Sequence, residues 1–96
     1  MKKYYFAVAS EKFLLSQEPI EEILRERTNH YHSFNKTIDF WLIKDSELSN
    51  YSEVLKIRKI LDVPVAAILS TNKLFITWLK LRCSFVKVGT LARETV

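Results

Sequence analysis

The chain is poor in glycine and cysteine, and each shortage excludes classes of function. Gly89 is the only glycine, so the glycine-rich turns that hold phosphates in dinucleotide-binding and P-loop enzymes cannot form. Cys83 is the only cysteine, which excludes an internal disulfide and a cysteine-based zinc site and fits a reducing compartment.

Long hydrophobic runs are also missing. The longest apolar segments, such as residues 65–69, are far shorter than the roughly 20 residues that a membrane-spanning helix needs. We therefore expect no direct membrane insertion. A strand follows residues 1–3 at once, without a signal or transit peptide, so a protein that works in an organelle is expected to be made there.

The composition is that of one small folded domain. A chain of 96 residues with 48% hydrophobic and 27% charged residues can bury one core and little more. We predict a single domain over residues 1–96, with a frayed tail from about residue 90. The net charge of +4 is spread without a block of like charge, which argues against a dedicated nucleic-acid surface.

Strand and helix patterns alternate along the chain. They predict strands at 4–9, 36–44, 65–69 and 85–88, and helices at 19–32, 53–61 and 73–82. This order fits a doubly wound parallel sheet or an α+β two-layer sandwich of the ferredoxin-like type. The short chain favours the sandwich, a four-stranded, mainly antiparallel sheet with helices on one face. The other face is then partly exposed and suited to a partner.

Two charged residues occupy positions where apolar side chains are expected. Asp39 lies inside the apolar run KTIDFWLIK, where a carboxylate is costly to desolvate, and Arg82 falls on the apolar arc of the third helix. The two side chains could form an internal ion pair. Alternatively, Arg82 extends to solvent and favours the negative end of its helix.

No set of residues forms a catalytic or metal centre by spacing. His30 and His32 point away from each other on a helix, and Glu26 with His30 is one isolated pair. Possible nucleophiles such as Cys83 have no partnered base nearby in sequence. We therefore expect no catalytic residue, no metal site and no bound cofactor.

Five segments occur in an order and spacing that are typical of one family. They are YYFAVAS from Tyr4, EPIEEILRER from Glu18, IDFWL from Ile38, STN from Ser70 and WLKLR from Trp78. From Tyr4 to about Gly89, the chain resembles the hypothetical chloroplast reading frame fifty-four family of cyanobacteria, algal plastids and plants. Because no transit peptide is recognised, the sequence looks like a plastid-encoded or cyanobacterial member of the family.

The resemblance implies a compact α+β sandwich and a non-catalytic accessory role in chlorophyll biosynthesis. Family members associate with the aerobic di-iron cyclase that closes the fifth ring of magnesium-protoporphyrin IX monomethyl ester, and support its assembly or stability. The expected location is the plastid stroma or the cyanobacterial cytoplasm, with thylakoid association only through the partner. Self-association is neither predicted nor excluded.

This partner gives the two charged residues an expected role. We predict that Asp39, Phe40 and Arg82 form a partly exposed patch that docks the cyclase. Phe40 or Trp41 would supply apolar area, while Asp39 and Arg82 would set the orientation. The alternative is that Asp39 and Arg82 pair internally and that Phe40 and Trp41 belong to the core.

Two other functions remain as alternatives. A tetrapyrrole carrier could hold the substrate in an apolar groove, with His30 or His32 on its magnesium. An RNA-binding α+β module is the second, although the RNP1 pattern of such modules is missing.

Overall fold

A computed structural model describes residues 2–83 and 86–93 and contains one four-stranded antiparallel sheet in the order β2-β3-β1-β4. Its elements are β1 Lys2–Ser10, α1 Ile20–Ser33, β2 Phe40–Ile43, α2 Ser52–Leu61, β3 Val65–Ser70, α3 Lys73–Arg82 and β4 Lys87–Arg93. This strand order is that of the ferredoxin-like fold, with α2 added between β2 and β3. The predicted α+β sandwich is confirmed.

The alternation of large and small residues in β1 determines what packs on each side of the sheet. Ala7 and Ala9 lie under α1 and α3, where small side chains let the helices approach closely. Tyr4, Phe6 and Val8 point to the opposite side and form a second apolar cluster.

The prediction that helices cover only one face of the sheet is wrong. Leu48 and Tyr51, in and after the 3₁₀ turn Asp45–Asn50, and Val54 of α2 pack onto the second face. The bulky side chains of β1 on that face need cover, and the connection between β2 and β3 supplies it. Little of this face is therefore left for a partner.

The single glycine is explained by this second cluster. A Cβ atom at Gly89 would lie 2.5 Å from Cζ of Phe6, too close for any side chain without a shift. Gly89 stands directly opposite Phe6 in the pairing of β1 with β4. The absence of a side chain therefore lets the Phe6 ring lie across the edge strand.

The carboxyl-terminal strand differs from its prediction. Residues 90–93 continue β4 and pair with Tyr5, Tyr4, Lys3 and Lys2, so fraying from residue 90 is wrong for this part. The strand pattern was missed because Val88 and Thr90 face solvent and only Leu91 is buried. Phe85, at the predicted start of the strand, and residues 94–96 lie outside the described residues.

Candidate protein-binding groove

Asp39 lies immediately before β2 rather than within a strand, and its carboxylate is hydrogen bonded. Oδ1 accepts a hydrogen bond of 2.9 Å from the Tyr31 hydroxyl, and Oδ2 lies 4.0 Å from Nζ of Lys36. The backbone carbonyl of Asp39 accepts from Oγ of Ser70 at 2.8 Å and from the amide of Thr71 at 3.2 Å. Asp39 therefore joins α1 and the start of β2 to the segment that leads into α3.

The same hydrogen-bond chain continues to an arginine that sequence reasoning did not single out. The Arg27 guanidinium donates a 2.9 Å hydrogen bond to the Tyr31 hydroxyl. Its Cζ lies 3.8 Å from the ring centroid of Phe75, and the Tyr31 and Phe40 rings are 5.0 and 5.5 Å away. Cation–π contacts in partly desolvated sites of this kind contribute about 1–2 kcal/mol.

Arg27 has no ion-pair partner among the described residues. Its Nε is buried and has no hydrogen-bond partner in this part of the chain. The signal for its position was present in the sequence, because Arg27 lies four residues after Ile23 and four before Tyr31 on the apolar stripe of α1. A guanidinium supported by aromatic rings and lacking a carboxylate therefore forms part of the wall between α1 and α3.

A groove opens above Arg27 between these two helices, and we call it the α1–α3 groove. Its volume is about 510 Å³, and its lining includes Ile23, Arg27 and His30 from α1 and Leu74, Phe75 and Trp78 from α3. A second depression of about 310 Å³ shares Ile23, Glu26 and Trp78 with it and reaches Arg82. Together they form a continuous furrow along most of α3.

An apolar stripe that no described residue covers runs along α3, and two of its residues, Leu74 and Trp78, line the furrow. Leu74 and Leu81 are each 79% exposed, and Trp78 between them is 46% exposed. The spacing i, i+4, i+7 places the three side chains on one face of the helix. We call these three residues the apolar stripe.

The proposed internal pair between Asp39 and Arg82 is wrong. Asp39 is hydrogen bonded to Thr71, just before the start of α3, whereas Arg82 is the last residue of that helix. The ten residues of α3 span about 15 Å. Arg82 is exposed and lines the far end of the furrow, so neither charge neutralises the other.

Phe40 and Trp41 lie on opposite faces of the sheet, because successive residues of a strand alternate. Phe40 is only 4% exposed and packs edge-on against Tyr31 and Phe75 at centroid distances of 5.3 and 5.7 Å. Trp41 is half-buried against Tyr4 on the α2 side. Phe40 therefore belongs to the core and does not supply exposed apolar area, whereas docking through the partly exposed Asp39 and the exposed Arg82 stays a prediction.

Cys83 is buried at the end of α3, and its environment keeps it protonated. Burial raises the pKa of the thiol to about 11, with a further contribution from its 3.5 Å hydrogen bond to Oε2 of Glu18 and from the charge of that residue. A thiol of this kind is inert at neutral pH. Cys83 is therefore packed as a buried, protonated thiol.

Metal-binding side chains are scattered rather than clustered. Across residues 2–83 and 86–93, no group of three or more His, Cys, Asp or Glu residues could hold a metal ion. His30 instead lies edge-on to Phe34, with 4.9 Å between the ring centroids. Nor does any described helix have the length and apolar character needed to cross a membrane.

The fold and the furrow together define a small α+β protein of the ferredoxin-like class with an exposed apolar and arginine-flanked groove. The family model of the Ycf54 protein matches residues 2–92. The chain is 51% identical to the ycf54 protein of Porphyra purpurea over 93% of this chain and 82% of that protein. The chain belongs to the Ycf54 family.

Other relatives extend this result to cyanobacteria and plants. The solved structure of the Ycf54 protein from Synechocystis sp. PCC6803 superimposes with a TM-score of 0.80 at 41% identity, over 99% of this chain and 90% of that one. The chloroplastic YCF54 protein of Arabidopsis thaliana is 39% identical over 83% of this chain and 37% of its own length. These similarities support a plastid or cyanobacterial origin of the chain.

Proposed function

We propose that this protein is a non-catalytic accessory factor of chlorophyll biosynthesis that binds the di-iron magnesium-protoporphyrin IX monomethyl ester oxidative cyclase. The α1–α3 groove is the surface that makes the contact. The observation that carries this proposal is the apolar stripe of Leu74, Trp78 and Leu81, exposed along α3 and flanked by arginines. It rests also on the family resemblance, which supplies the identity of the partner.

The composition of the groove supports protein binding rather than catalysis. Tryptophan, tyrosine and arginine are the residues that most often dominate binding energy at protein interfaces. The groove offers Trp78 and Arg27 near its centre and Arg82 at its end. Cys83 is kept as a thiol, so it adds no nucleophile at the end of α3.

The four residues expected from the sequence take different parts in this proposal. Arg82 is exposed at the end of the furrow and contacts the partner directly. Asp39 and Phe40 act through the wall, because they hold Tyr31, Phe75 and thereby Arg27 in place. Trp41 lies on the opposite face of the sheet and is expected not to contact the same partner surface.

Affinity capture from a photosynthetic membrane extract tests the proposal with a matched pair of variants. Leu74→Glu places a charge on the apolar stripe, and Ile60→Glu places the same charge on α2, where Ile60 is 78% exposed against 79% for Leu74. We expect the wild type and Ile60→Glu to capture similar amounts of the cyclase. Leu74→Glu should capture at least ten-fold less. Equal retention by both variants would remove the groove from the proposal.

One observation favours a second candidate, a carrier of the tetrapyrrole itself. His30 lines the α1–α3 groove beside Leu74 and Trp78, which places an imidazole and apolar surface together. Titration with the magnesium porphyrin ester separates the two functions. A carrier shifts the Soret band, and the shift disappears in His30→Ala, whereas an accessory factor that binds only the cyclase leaves the band unmoved.

A further inference from the structure

The positive charge of this chain is concentrated in one part of the fold. Residues 2–10 and 63–93 contain seven basic residues and no acidic one, whereas residues 11–62 contain eight basic and ten acidic residues. The first group comprises β1, β3, α3 and β4. The net charge of +4 therefore arises entirely from the β1, β3, α3 and β4 side of the molecule.

A cleft lies at the centre of this basic region, between α3 and the edge strand β4. It has a volume of about 330 Å³ and is lined on its three sides by Lys3 and Tyr5, Val88 and Thr90, and Lys73 and Lys80. No acidic residue is found among the described residues that line it. We call it the lysine cleft.

The cleft exists because α3 covers β1 but stops short of β4. Tyr5 and Thr90 are paired across the sheet, as are Ala7 and Val88, so these residues share the face on which α3 packs. Ala7 is fully buried, whereas Val88 is 48% exposed. The inner face of β4 is therefore an apolar floor without a helix above it in the described structure.

Contacts within the protein position two of the lysines. Nζ of Lys3 lies 5.6 Å from the Tyr5 ring centroid, and Nζ of Lys80 donates a 2.7 Å hydrogen bond to the Val86 carbonyl. Lys73 opens α3, where the helix dipole adds to its positive charge. The described lining of the cleft therefore combines three lysines with no acidic residue.

We propose that the lysine cleft binds an extended acidic segment of a protein partner. Lys73 and Lys80 are two turns apart, about 10 Å along the helix, which exceeds the size of one small anion but matches about three residues of extended chain. The outer edge of β4 is unpaired in the described sheet, so an extended segment can also add to it through backbone hydrogen bonds.

Carboxylates suit this cleft better than nucleic acid does. The described lining of the cleft contains no arginine that could bind a phosphate in a bidentate way. Tyr5, the aromatic residue of the described lining, is partly buried with Nζ of Lys3 over its ring, so it is poorly placed for a base to stack on it. This inference does not depend on the identity of any protein bound at the α1–α3 groove.

Fluorescence anisotropy with a labelled peptide of alternating Glu and Val tests the proposal on the whole chain. The test variant is Lys3→Glu with Lys73→Glu, which spares the hydrogen bond of Lys80. The control is Lys56→Glu with Lys59→Glu, which makes the same charge change at exposed residues of α2. We expect the test variant to bind the Glu peptide at least ten-fold more weakly than the control does. A peptide with Gln in place of Glu should bind the wild type no better than the Glu peptide binds the test variant.

Three outcomes would overturn the proposal. Equal losses in the test and control variants would mean that net charge alone drives binding. Displacement of the peptide by an RNA oligonucleotide of equal charge, at equal concentration, would identify a general polyanion surface. Displacement by citrate at the peptide's own concentration would identify a small-anion site. Thermal unfolding of each variant establishes that it is folded before the comparison is made.

Discussion

Helix α3 presents two exposed faces of opposite character, one apolar and one basic. One face carries the apolar stripe, of which Leu74 and Trp78 line the groove beside α1, and the other carries Lys73, Thr77 and Lys80 beside β4. Only a third face, with Phe75, Ile76 and Leu79, is buried against the sheet. Most of α3 is therefore surface that neighbouring elements border but do not cover.

The largest expected effect is a difference in folding stability between a variant of the buried face of α3 and a variant of the apolar stripe. Phe75→Ala should lower the free energy of unfolding by about 3–5 kcal/mol, because it removes a core ring that also supports Arg27 and contacts Phe40. Trp78→Ala should lower it by less, about 1–2 kcal/mol, because Trp78 is 46% exposed although its ring stacks on Phe75. Urea unfolding measures both values. Similar losses would mean that the stripe belongs to the core.

A second prediction concerns binding at the end of the furrow. Arg82→Ala should weaken capture of the partner by roughly 5- to 30-fold, about 1–2 kcal/mol, as expected for an arginine at an interface. Stability should stay within about 0.5 kcal/mol, because Arg82 is an exposed side chain. Lys59→Ala on α2 is the control. Loss of folding in Arg82→Ala, rather than loss of capture, would contradict a direct contact.

The hydrogen-bond chain behind the groove gives a smaller effect on stability. Tyr31→Phe removes the hydroxyl that joins Arg27 to Asp39. The free energy of unfolding should fall by about 1–2 kcal/mol, because two charged side chains each lose a hydrogen bond. Tyr51→Phe is the control, because Tyr51 packs on the α2 side and its hydroxyl joins no hydrogen-bond chain among the described residues. Equal stability of both variants in chemical denaturation would show that the chain contributes nothing.

The smallest expected effect is a pH dependence at the end of α3. The thiol of Cys83 has a pKa raised from 9.0 to about 11 in the folded protein. The unfolded chain therefore releases this proton at lower pH, and the associated stability is complete below about pH 9 and is lost as pH rises toward 11. Cys83→Ser should lose less stability over this interval than the wild type. Parallel curves would contradict the raised pKa.

The sequence predicted much of the fold because its hydrophobic periodicity is regular. Residues 73–82 were predicted as the third helix and form it, and the predicted first helix at 19–32 differs from Ile20–Ser33 by one residue at each end. β2 is shorter than expected because the chain before Phe40 is held by hydrogen bonds from Ser70 and Thr71 instead of by strand pairing.

The candidate site could not be derived from periodicity alone. A helical wheel of α3 shows one broad apolar arc, and it cannot tell that Phe75 faces the sheet while Leu74 faces solvent. That division depends on where α1 and β4 lie. The position of Arg27 on the apolar side of α1 could be read from the sequence, but its environment could not, since Phe40 and Phe75 come from distant parts of the chain.

Site-specific photocrosslinking tests most directly whether the apolar stripe is where the cyclase binds. Benzoylphenylalanine would replace Trp78 on the stripe in one variant and Ile60 on α2 in another, each irradiated in a photosynthetic membrane extract and analysed by mass spectrometry. The account predicts that the cyclase subunit is crosslinked from position 78 and not from position 60. Crosslinking from position 60 alone, or from both positions equally, would contradict it.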